Sequence, residues 1–142
     1  MTLPILKVKM DDGAYPITTA HDWDAGYDIR TPKAFYLPRN GSAIVNTGVH
    51  IEIPCGYYAK IESKSGLMVN HGITAPGGVI DSGYTGAIVV RLENRSDSGY
   101  EFLAGDKIAQ IIIMAHEKPH LERVNEIGGS ERGDNGFGSS GR

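Results

Sequence analysis

Turn-forming residues divide this chain into short segments, and that division limits the folds it can adopt. The 142 residues include 19 glycines and 7 prolines, spread along the whole sequence. Between them lie segments in which apolar and polar side chains alternate, such as residues 49–53 and 57–61. Alternation with a period of two indicates half-buried strands, and many short strands separated by turns are typical of sandwiches and barrels. The chain is therefore predicted to be all-β.

Two segments depart from simple alternation. Residues 107–115 (KIAQIIIMA) are apolar almost throughout, which predicts a strand buried on both faces. Residues 65–70 hold the one short helical turn that the sequence predicts. A chain near this length can bury roughly 68–70% of its unfolded surface. One domain without a disulfide or structural metal is therefore expected.

Charge and cysteine content exclude several classes of protein. The net charge is -3 and the pI about 5.9, without a block of Lys or Arg, so neither a nucleic-acid surface nor a nucleic-acid partner is expected. The N-terminal residues lack a signal-peptide layout, and no apolar run approaches 18 residues, so no membrane partner is expected. The single cysteine, Cys55, is interpreted as a turn residue and not a nucleophile. We expect a soluble, cytoplasmic protein.

Residues 77–94 (GGVIDSGYTGAIVVRLEN) give the first functional signal. A glycine pair, a short apolar pair, Asp81 and a glycine-flanked turn precede a strand with clear alternation, which together predict a hairpin. A rigid scaffold of this kind positions chemistry at a loop. Asp81 is a candidate for activating a water molecule. Tyr84 is a candidate for packing against a sugar. An Asp before a Gly-Tyr turn is also a common turn former.

Three further stretches carry polar groups that suit an anionic ligand. Residues 63–67 (SKSGL) place a hydroxyl, an ammonium and a glycine at the start of the helical turn, where free N–H groups favour anions, although an N-cap serine would look the same. Asp28 begins a strand in AGYDI. Gln110 interrupts an apolar run, so it must bond the core backbone or face a ligand.

The last fifteen residues, 128–142, are too polar and glycine-rich to fold alone. A flexible tail is the simpler interpretation. Phosphates could instead be bound by Arg132, the unhindered backbone amides, Ser139 and Ser140. Phe137 could stack on a base. A segment that orders only over its ligand would act as a lid.

Five stretches stand in order between residues 25 and 141: AGYDI, SKSGL, GVIDSGYTG, GDKIAQ and RGDNGFGSSG. Together they resemble the five ordered motifs of the trimeric dUTPase family. The resemblance implies a jelly-roll or β-clip-like barrel over residues 1–126, a lid over residues 127–142, and a homotrimer with active sites shared between subunits. It also implies hydrolysis of dUTP to dUMP and pyrophosphate with Mg²⁺, which limits uracil in DNA and supplies dUMP.

The resemblance assigns roles to individual residues. Asp81 would orient the attacking water toward the α-phosphorus, and Asp28 would act on the metal through water. The phosphates would be held by Lys64, Ser65, Gly66, Gln110, Arg132, Ser139 and Ser140. The uracil and deoxyribose would be held by Gly78, Val79, Ile80, Tyr84 and Phe137.

The sequence departs from the motifs at two positions and leaves two alternative functions open. Lys64 stands where the second motif usually has Arg, and Asn135 where the fifth usually has Gly. The nearest rival is a dCTP deaminase, or a bifunctional deaminase and dUTPase, of the same fold. Such an enzyme would need a glutamate at Arg91, unless Glu93 has shifted register. A non-catalytic regulatory β-sandwich module is the second rival.

Overall fold

The computed structural model describes residues 2–141, which form ten strands and one helix. No helix of this part of the chain is both long and apolar enough to cross a bilayer. The all-β prediction is confirmed, and so is the single short helix. In chain order the elements are β1 (Lys7–Met10), β2 (Tyr27–Arg30), β3 (Phe35–Leu37), β4 (Ser42–Glu52), β5 (Tyr57–Glu62), α1 (Ser65–His71), β6 (Ile73–Thr74), β7 (Val79–Ile80), β8 (Ala87–Asn94), β9 (Tyr100–Phe102) and β10 (Lys107–Ala115).

Eight strands form two antiparallel sheets that enclose one apolar core. The first sheet has the order β1-β4-β8-β6, the second has the order β2-β10-β5-β7, and β3 pairs with β9 separately. Both sheets contribute to the same buried cluster, as expected for a jelly-roll barrel. The largest fully buried apolar side chains are Phe102, Ile29, Leu37, Ile73, Ile88, Leu92, Ile108, Ile111, Val49 and Val90.

Burial along β8 and β10 follows from their neighbours. In β8, Ile88, Val90 and Leu92 face the core while the residues between them face outward, which confirms the alternation. In β10 the prediction of burial on both faces is wrong for the second half, where Met114 and Ala115 are exposed. Its pairing with β2 ends at Ile111, so beyond that point only β5 accompanies the strand.

The hairpin predicted for residues 77–94 is also wrong. Strand β7 pairs with β5, whereas β8 pairs with β4 and β6, so the two strands lie in different sheets. Residues 81–86 therefore cross from one sheet to the other. Because each end of this crossing turn is anchored in its own sheet, the turn is held more firmly than the loop of a free hairpin.

Regular structure ends at Ala115, and every described residue from 117 onward is exposed. Within the described part of the chain, no hydrogen bond or salt bridge joins residues 117–141 to the barrel. The predicted boundary near residue 126 and the lid stay predictions. Cys55 lies exposed in the turn between β4 and β5, as expected.

Candidate active site

A cavity of about 380 Å³ opens where the chain crosses between the sheets. One wall is the segment from Gly77 to Asp81 together with Tyr84. This wall holds five residues predicted to surround the base, sugar and attacking water: Gly78, Val79, Ile80, Asp81 and Tyr84. The opposite wall comes from the outer face of β4 and β8 and consists of Ile44, Ala87, Val89 and Arg91. Of these four, the sequence had placed only Ala87 in the uracil pocket and had given no ligand-binding role to Ile44, Val89 and Arg91.

Tyr84 is held over the crossing turn by its own neighbours. Its N–H donates to the Asp81 carbonyl at 3.0 Å, and its hydroxyl donates to the Ala87 carbonyl at 2.8 Å. A side chain at Gly86 would place its Cβ 2.5 Å from the Tyr84 hydroxyl. Glycine is therefore needed at position 86 for the ring to lie in this position.

Gly78 gives the pocket a wall of exposed backbone. Its φ of +138° disfavours any side chain, and its carbonyl accepts a 2.9 Å hydrogen bond from the Ile61 N–H. An added Cβ would come 3.3 Å from the Ile61 side chain. The glycine thus lets the strand lie close to β5, and its exposed position in the cavity wall suits recognition of a flat base by backbone groups.

A second cluster surrounds the carboxylate of Asp28. This residue is only 5% exposed and is bonded to the ammonium of Lys64 at 2.5 Å, while Lys107 lies 3.3 Å away. Burial acts to raise the pKa of Asp28, but the hydrogen bonds and charges of Lys64 and Lys107 outweigh it and lower the pKa. Two cations facing one buried carboxylate leave a positive excess suited to phosphate. The sequence missed Lys107, although it lies three residues before Gln110 in the same motif.

Gln110 brings three of the motifs together at this cluster. It pairs with Asp28 across β2 and β10, and its side-chain amide donates to the Ser63 carbonyl at 3.1 Å. A Cβ at Gly26 would lie 2.6 Å from the Gln110 amide oxygen, so the glycine allows this packing. Of the two alternatives given by the sequence, the structure supports the bond to backbone.

The start of helix α1 lies directly beside Asp28. Lys64 is the N-cap residue and makes no side-chain cap, and the first helical bond runs from Met68 N–H to the Lys64 carbonyl. The N–H groups of Ser65 and Gly66 are thus left without helical partners. The simple serine cap considered from the sequence is absent here, because Lys64 occupies the N-cap position and Ser63 bonds Ala75. Whether these N–H groups bind phosphate stays a prediction.

The predicted tail residues lie apart from both clusters. The Arg132 guanidinium donates to the Asn135 carbonyl at 2.5 Å, so its only described partner is within its own turn. The side chain of Phe137 is fully exposed, and Ser139 and Ser140 are exposed as well. The structure therefore does not bring the fifth motif to the other four within a single chain.

The two clusters also lie apart from each other. Asp28 is on β2 and Asp81 directly follows β7, and these strands are the opposite edges of the second sheet. Three interstrand spacings of about 4.8 Å separate such edges by roughly 14 Å. Asp28, Lys64 and Gln110 are accordingly absent from the lining of the cavity that holds Asp81. One chain thus carries the Asp81 pocket and the Asp28 cluster as two separate sites.

Comparison with known proteins agrees with this arrangement of motifs. The family model described as dUTPase matches residues 14–141. The chain belongs to the dUTPase family. The deoxyuridine 5'-triphosphate nucleotidohydrolase of Oryza sativa subsp. japonica is 38% identical over 139 residues, which cover 97% of this chain and 81% of that one. The recognition made from the five motifs is confirmed.

Solved structures of the family superpose closely on the chain. The dUTPase of Staphylococcus bacteriophage 80alpha with dUPNHPP has a TM-score of 0.92 at 30% identity, covering 99% of this chain and 100% of that one. A mutant dUTPase from phage phi11 of S. aureus, solved with a structural Mg(II) ion, has a TM-score of 0.80 at 27% identity. It covers 87% of this chain and 98% of its own.

The geometry of β8 bears on the deaminase alternative. Arg91 lines the cavity, but Glu93 does not. The hydrogen bond from Arg91 and then that from Arg95 lower the pKa of Glu93, since both guanidinium groups contact its carboxylate. A carboxylate engaged by two guanidinium groups and outside the pocket is poorly placed to exchange protons with a bound base. The family comparison and this arrangement both favour hydrolysis of dUTP.

Proposed function

We propose that the chain hydrolyses dUTP to dUMP and pyrophosphate by attack of water on the α-phosphorus. The observation that carries this proposal is the cavity at the sheet crossing, where Asp81 and Tyr84 stand beside the exposed backbone of Gly78. Family membership supplies the substrate class. Phosphoryl transfer needs mainly an in-line water, fixed geometry and neutralised charge, and the two clusters provide groups for each.

Recognition of the nucleoside falls to the crossing turn and its neighbours. We infer that peptide groups of Gly78, Val79 and Ile80 bind the uracil edge, since shape and hydrogen-bond mismatch then reject thymine and cytosine. The Tyr84 ring packs against the deoxyribose. Because its hydroxyl is already bonded to Ala87, the ring has little freedom to make room for a 2′-hydroxyl.

Asp81 is the proposed base. Its carboxylate is exposed at the end of β7, on the same wall as Tyr84, where a water between it and the α-phosphorus could be oriented. The water oxygen forms the new bond to phosphorus as its proton passes to Asp81. The bond from the α-phosphorus to the bridging oxygen breaks, and pyrophosphate leaves with the electron pair.

The triphosphate is assigned to the second cluster and to the tail. Donors at one end are Lys64, the free N–H groups of Ser65 and Gly66, and the second N–H of the Gln110 amide, whose first N–H donates to Ser63. From the tail, we infer that Arg132, Ser139 and Ser140 clamp the outer phosphates and that Phe137 covers the uracil. Rearrangement of Arg132 from its own turn would accompany this closure.

Mg²⁺ fits this site as a companion of the substrate. Among residues 2–141, no group of three or more His, Cys, Asp or Glu side chains is arranged to hold a metal ion. Mg²⁺ commonly binds through one or two carboxylates, waters and substrate phosphates, and Asp28 is a hard oxygen donor beside the phosphate-binding lysines. The ion would be held by phosphate oxygens and, through water, by Asp28. When bound, it neutralises charge on the phosphates.

We infer that the active enzyme is a homotrimer in which subunits share sites. The halves of the site lie on opposite edges of one sheet, and no hydrogen bond or salt bridge joins described tail residues 128–141 to either. Residues 117–141 could extend roughly 80 Å at about 3.3 Å per residue, enough to reach a neighbouring subunit. Exposed apolar side chains in this segment suit docking on another chain: Leu121, Val124 and Ile127. The number three follows from the family resemblance.

The activity is tested by incubating the protein and Mg²⁺ with dUTP, dCTP, UTP or dTTP and identifying the products. We expect dUMP and pyrophosphate from dUTP alone, and none when EDTA removes Mg²⁺. Ammonia released from dCTP would establish the deaminase instead. Binding of nucleotides without any product would support the non-catalytic module.

Shared sites are tested by mixing two inactive variants, Asp81→Asn and a chain truncated before Gly128, under conditions that exchange subunits. If a site takes Asp81 from one chain and the tail from another, mixed trimers regain part of the activity. Sites built within one chain would stay inactive in every mixture. The cytoplasmic location and the absence of a nucleic-acid or membrane partner stay predictions.

A further inference from the structure

The pairing of β4 with β8 is interrupted beside the crossing turn. Asn46 faces Val89, but His50 faces Ala87, so four steps along β4 correspond to two along β8. Gly48 lies in this bulge with a φ of +69°. Bulges of this kind redirect side chains and are common near active sites. Here the bulge brings His50 next to the end of the turn that carries Asp81 and Tyr84.

His50 connects the turn to a carboxylate on another segment. Its Nδ1 lies 2.9 Å from the Thr85 carbonyl oxygen, and its Nε2 lies 3.1 Å from each carboxylate oxygen of Asp11. Asp11 is itself fixed, because its N–H donates to the Gly48 carbonyl at 2.8 Å. The bulge, the carboxylate, the ring and the turn therefore form one connected chain of hydrogen bonds.

The chemistry of the two partners defines the charge of the ring. A carbonyl and a carboxylate both accept, so both ring nitrogens must carry a proton for both bonds to form. The backbone bond to Thr85, followed by the hydrogen bond to Asp11, raises the pKa of His50. Lys9, which faces His50 across β1 and β4, opposes this effect, while the next pair of residues, Lys7 and Glu52, neutralise each other.

The hydrogen bond between His50 and Thr85 differs from the other hydrogen bonds of the crossing turn. Tyr84 makes two bonds, to Asp81 and to Ala87, and both stay within the turn and its adjoining strand. Among residues 2–141, His50 is the only side chain from another element that bonds to residues 82–86. Without it, the turn would be fixed only through its own bonds and its two ends.

We propose that His50, oriented by Asp11, is a positioning residue that holds the crossing turn in the geometry needed by Asp81 and Tyr84. It acts through the Thr85 carbonyl and touches no substrate. This inference rests on the proposed roles of Asp81 and Tyr84. When the ring loses a proton, it keeps the stronger, charge-assisted bond to Asp11 and releases Thr85. The turn is therefore held firmly at lower pH and loosened as the pH rises.

Three substitutions separate this role from a general structural one. In His50→Asn the amide nitrogen falls near the place of Nδ1, so a donor that does not titrate remains for Thr85. In His50→Gln the amide nitrogen falls near the place of Nε2, so the contact to Asp11 remains and that to Thr85 is lost. Glu52→Gln is the control, because Glu52 lies on the same strand and bonds Lys7, not the turn.

The kinetic test compares kcat and KM for dUTP from pH 6 to pH 9. At pH 6 we expect kcat/KM to fall about tenfold in His50→Gln, the scale of a small misplacement of reacting groups, and to be nearly unchanged in His50→Asn and Glu52→Gln. The ratio of wild-type to His50→Asn activity cancels every pH effect that the two enzymes share. This ratio should fall as the pH rises above 6.5. A flat ratio, or equal activity in all variants, would overturn the proposal.

Amide exchange supplies a readout without substrate. Residues 82–87 should exchange faster in His50→Gln than in wild type, and this change should not occur in His50→Asn or Glu52→Gln. Unchanged exchange in His50→Gln would overturn the proposal even if its activity fell. If the wild-type protein did not hydrolyse dUTP, the proposed function would be wrong. If the wild-type protein were active and the His50 variants matched it in activity and amide exchange, only the inference about His50 would be wrong.

Discussion

The crossing turn at residues 81–86 and the tail at residues 128–141 are both rich in glycine and serine, yet the barrel holds only the first. The turn is anchored in two sheets and receives a hydrogen bond from His50. The tail is exposed throughout and bonds only within itself. Similar composition thus occurs in two different environments, because strand pairing and His50 tie the turn to the barrel while the described hydrogen bonds of the tail stay within it.

The glycines themselves serve different purposes in the two regions. Gly86 and Gly78 are needed because a side chain would collide with Tyr84 or crowd Ile61. A Cβ added at Gly128 or Gly129 would meet no heavy atom within 4 Å, so these two glycines leave the backbone free and unhindered. The first region is suited to fixing reacting groups in advance, and the second to folding over a ligand after it binds.

The largest expected loss of activity comes from removing the proposed base, Asp81, from the crossing turn. Asp81→Asn should keep dUTP binding and lower kcat by roughly a thousandfold, within the range for loss of a general base. The measurements are kcat and the dissociation constant for dUTP. Asp97→Asn, which changes an exposed carboxylate on the turn after β8, is the control. Undiminished turnover would remove Asp81 from its role.

Truncation before Gly128 tests the predicted lid. The tail makes no described contact with the barrel, so the melting temperature should stay the same. Turnover should fall by about two orders of magnitude or more, the scale of losing preorganised charge stabilisation. Calorimetry and steady-state kinetics measure the two effects. Full activity in the truncated enzyme would contradict the lid, and a large loss of stability would show that the tail is not mechanically independent of the barrel.

A matched pair of glycine substitutions gives an intermediate effect. Gly86→Ala should displace the Tyr84 ring and break its bond to Ala87, so kcat/KM should fall by roughly ten- to a hundredfold. Gly129→Ala meets no neighbouring atom, so it should leave stability unchanged and lower kcat/KM far less than Gly86→Ala. Equal behaviour of the two variants would show that the turn is no more constrained than the tail.

The smallest effect concerns stability in acid. The pKa of Asp28 is lowered in the folded chain, so its ion pairs contribute fully above the ordinary value of 3.8 and are lost as the pH falls through the lower folded value. The melting temperature of wild type should therefore drop below about pH 4, and that of Asp28→Asn should drop less steeply. Parallel curves would mean that the two lysines do not stabilise the fold through this carboxylate.

Much of the fold was predictable because its signals are local. Alternation identified β8 and β5, and the apolar run identified β10, since each needs only the neighbouring residues in sequence. Strand pairing was not predictable in the same way. Residues 77–94 look like a hairpin locally, but β7 finds its partner in β5, and no local pattern encodes that choice.

The candidate site likewise has a part that local sequence predicts and a part that it does not. Asp81, Tyr84 and Gly78 are close in sequence, so their common pocket was foreseen from the motif. The pairing of Asp28 with Lys107 joins residues from opposite ends of the chain, and the contact of His50 with Thr85 depends on a bulge. Neither has a sequence signature of its own, because side-chain contacts across sheets depend on register and not on composition.

By itself the sequence determined the strand-rich class, the short helix, the family and a group of five residues that line one cavity. These follow from periodicity and from motifs whose members are near neighbours in sequence. Only the tertiary structure decided that the chain crosses between sheets at Asp81, that the Asp28 cluster lies at the other edge, and that His50 contacts the turn at Thr85. Long-range pairing fixes these features, since it selects one register among several that the local patterns allow equally.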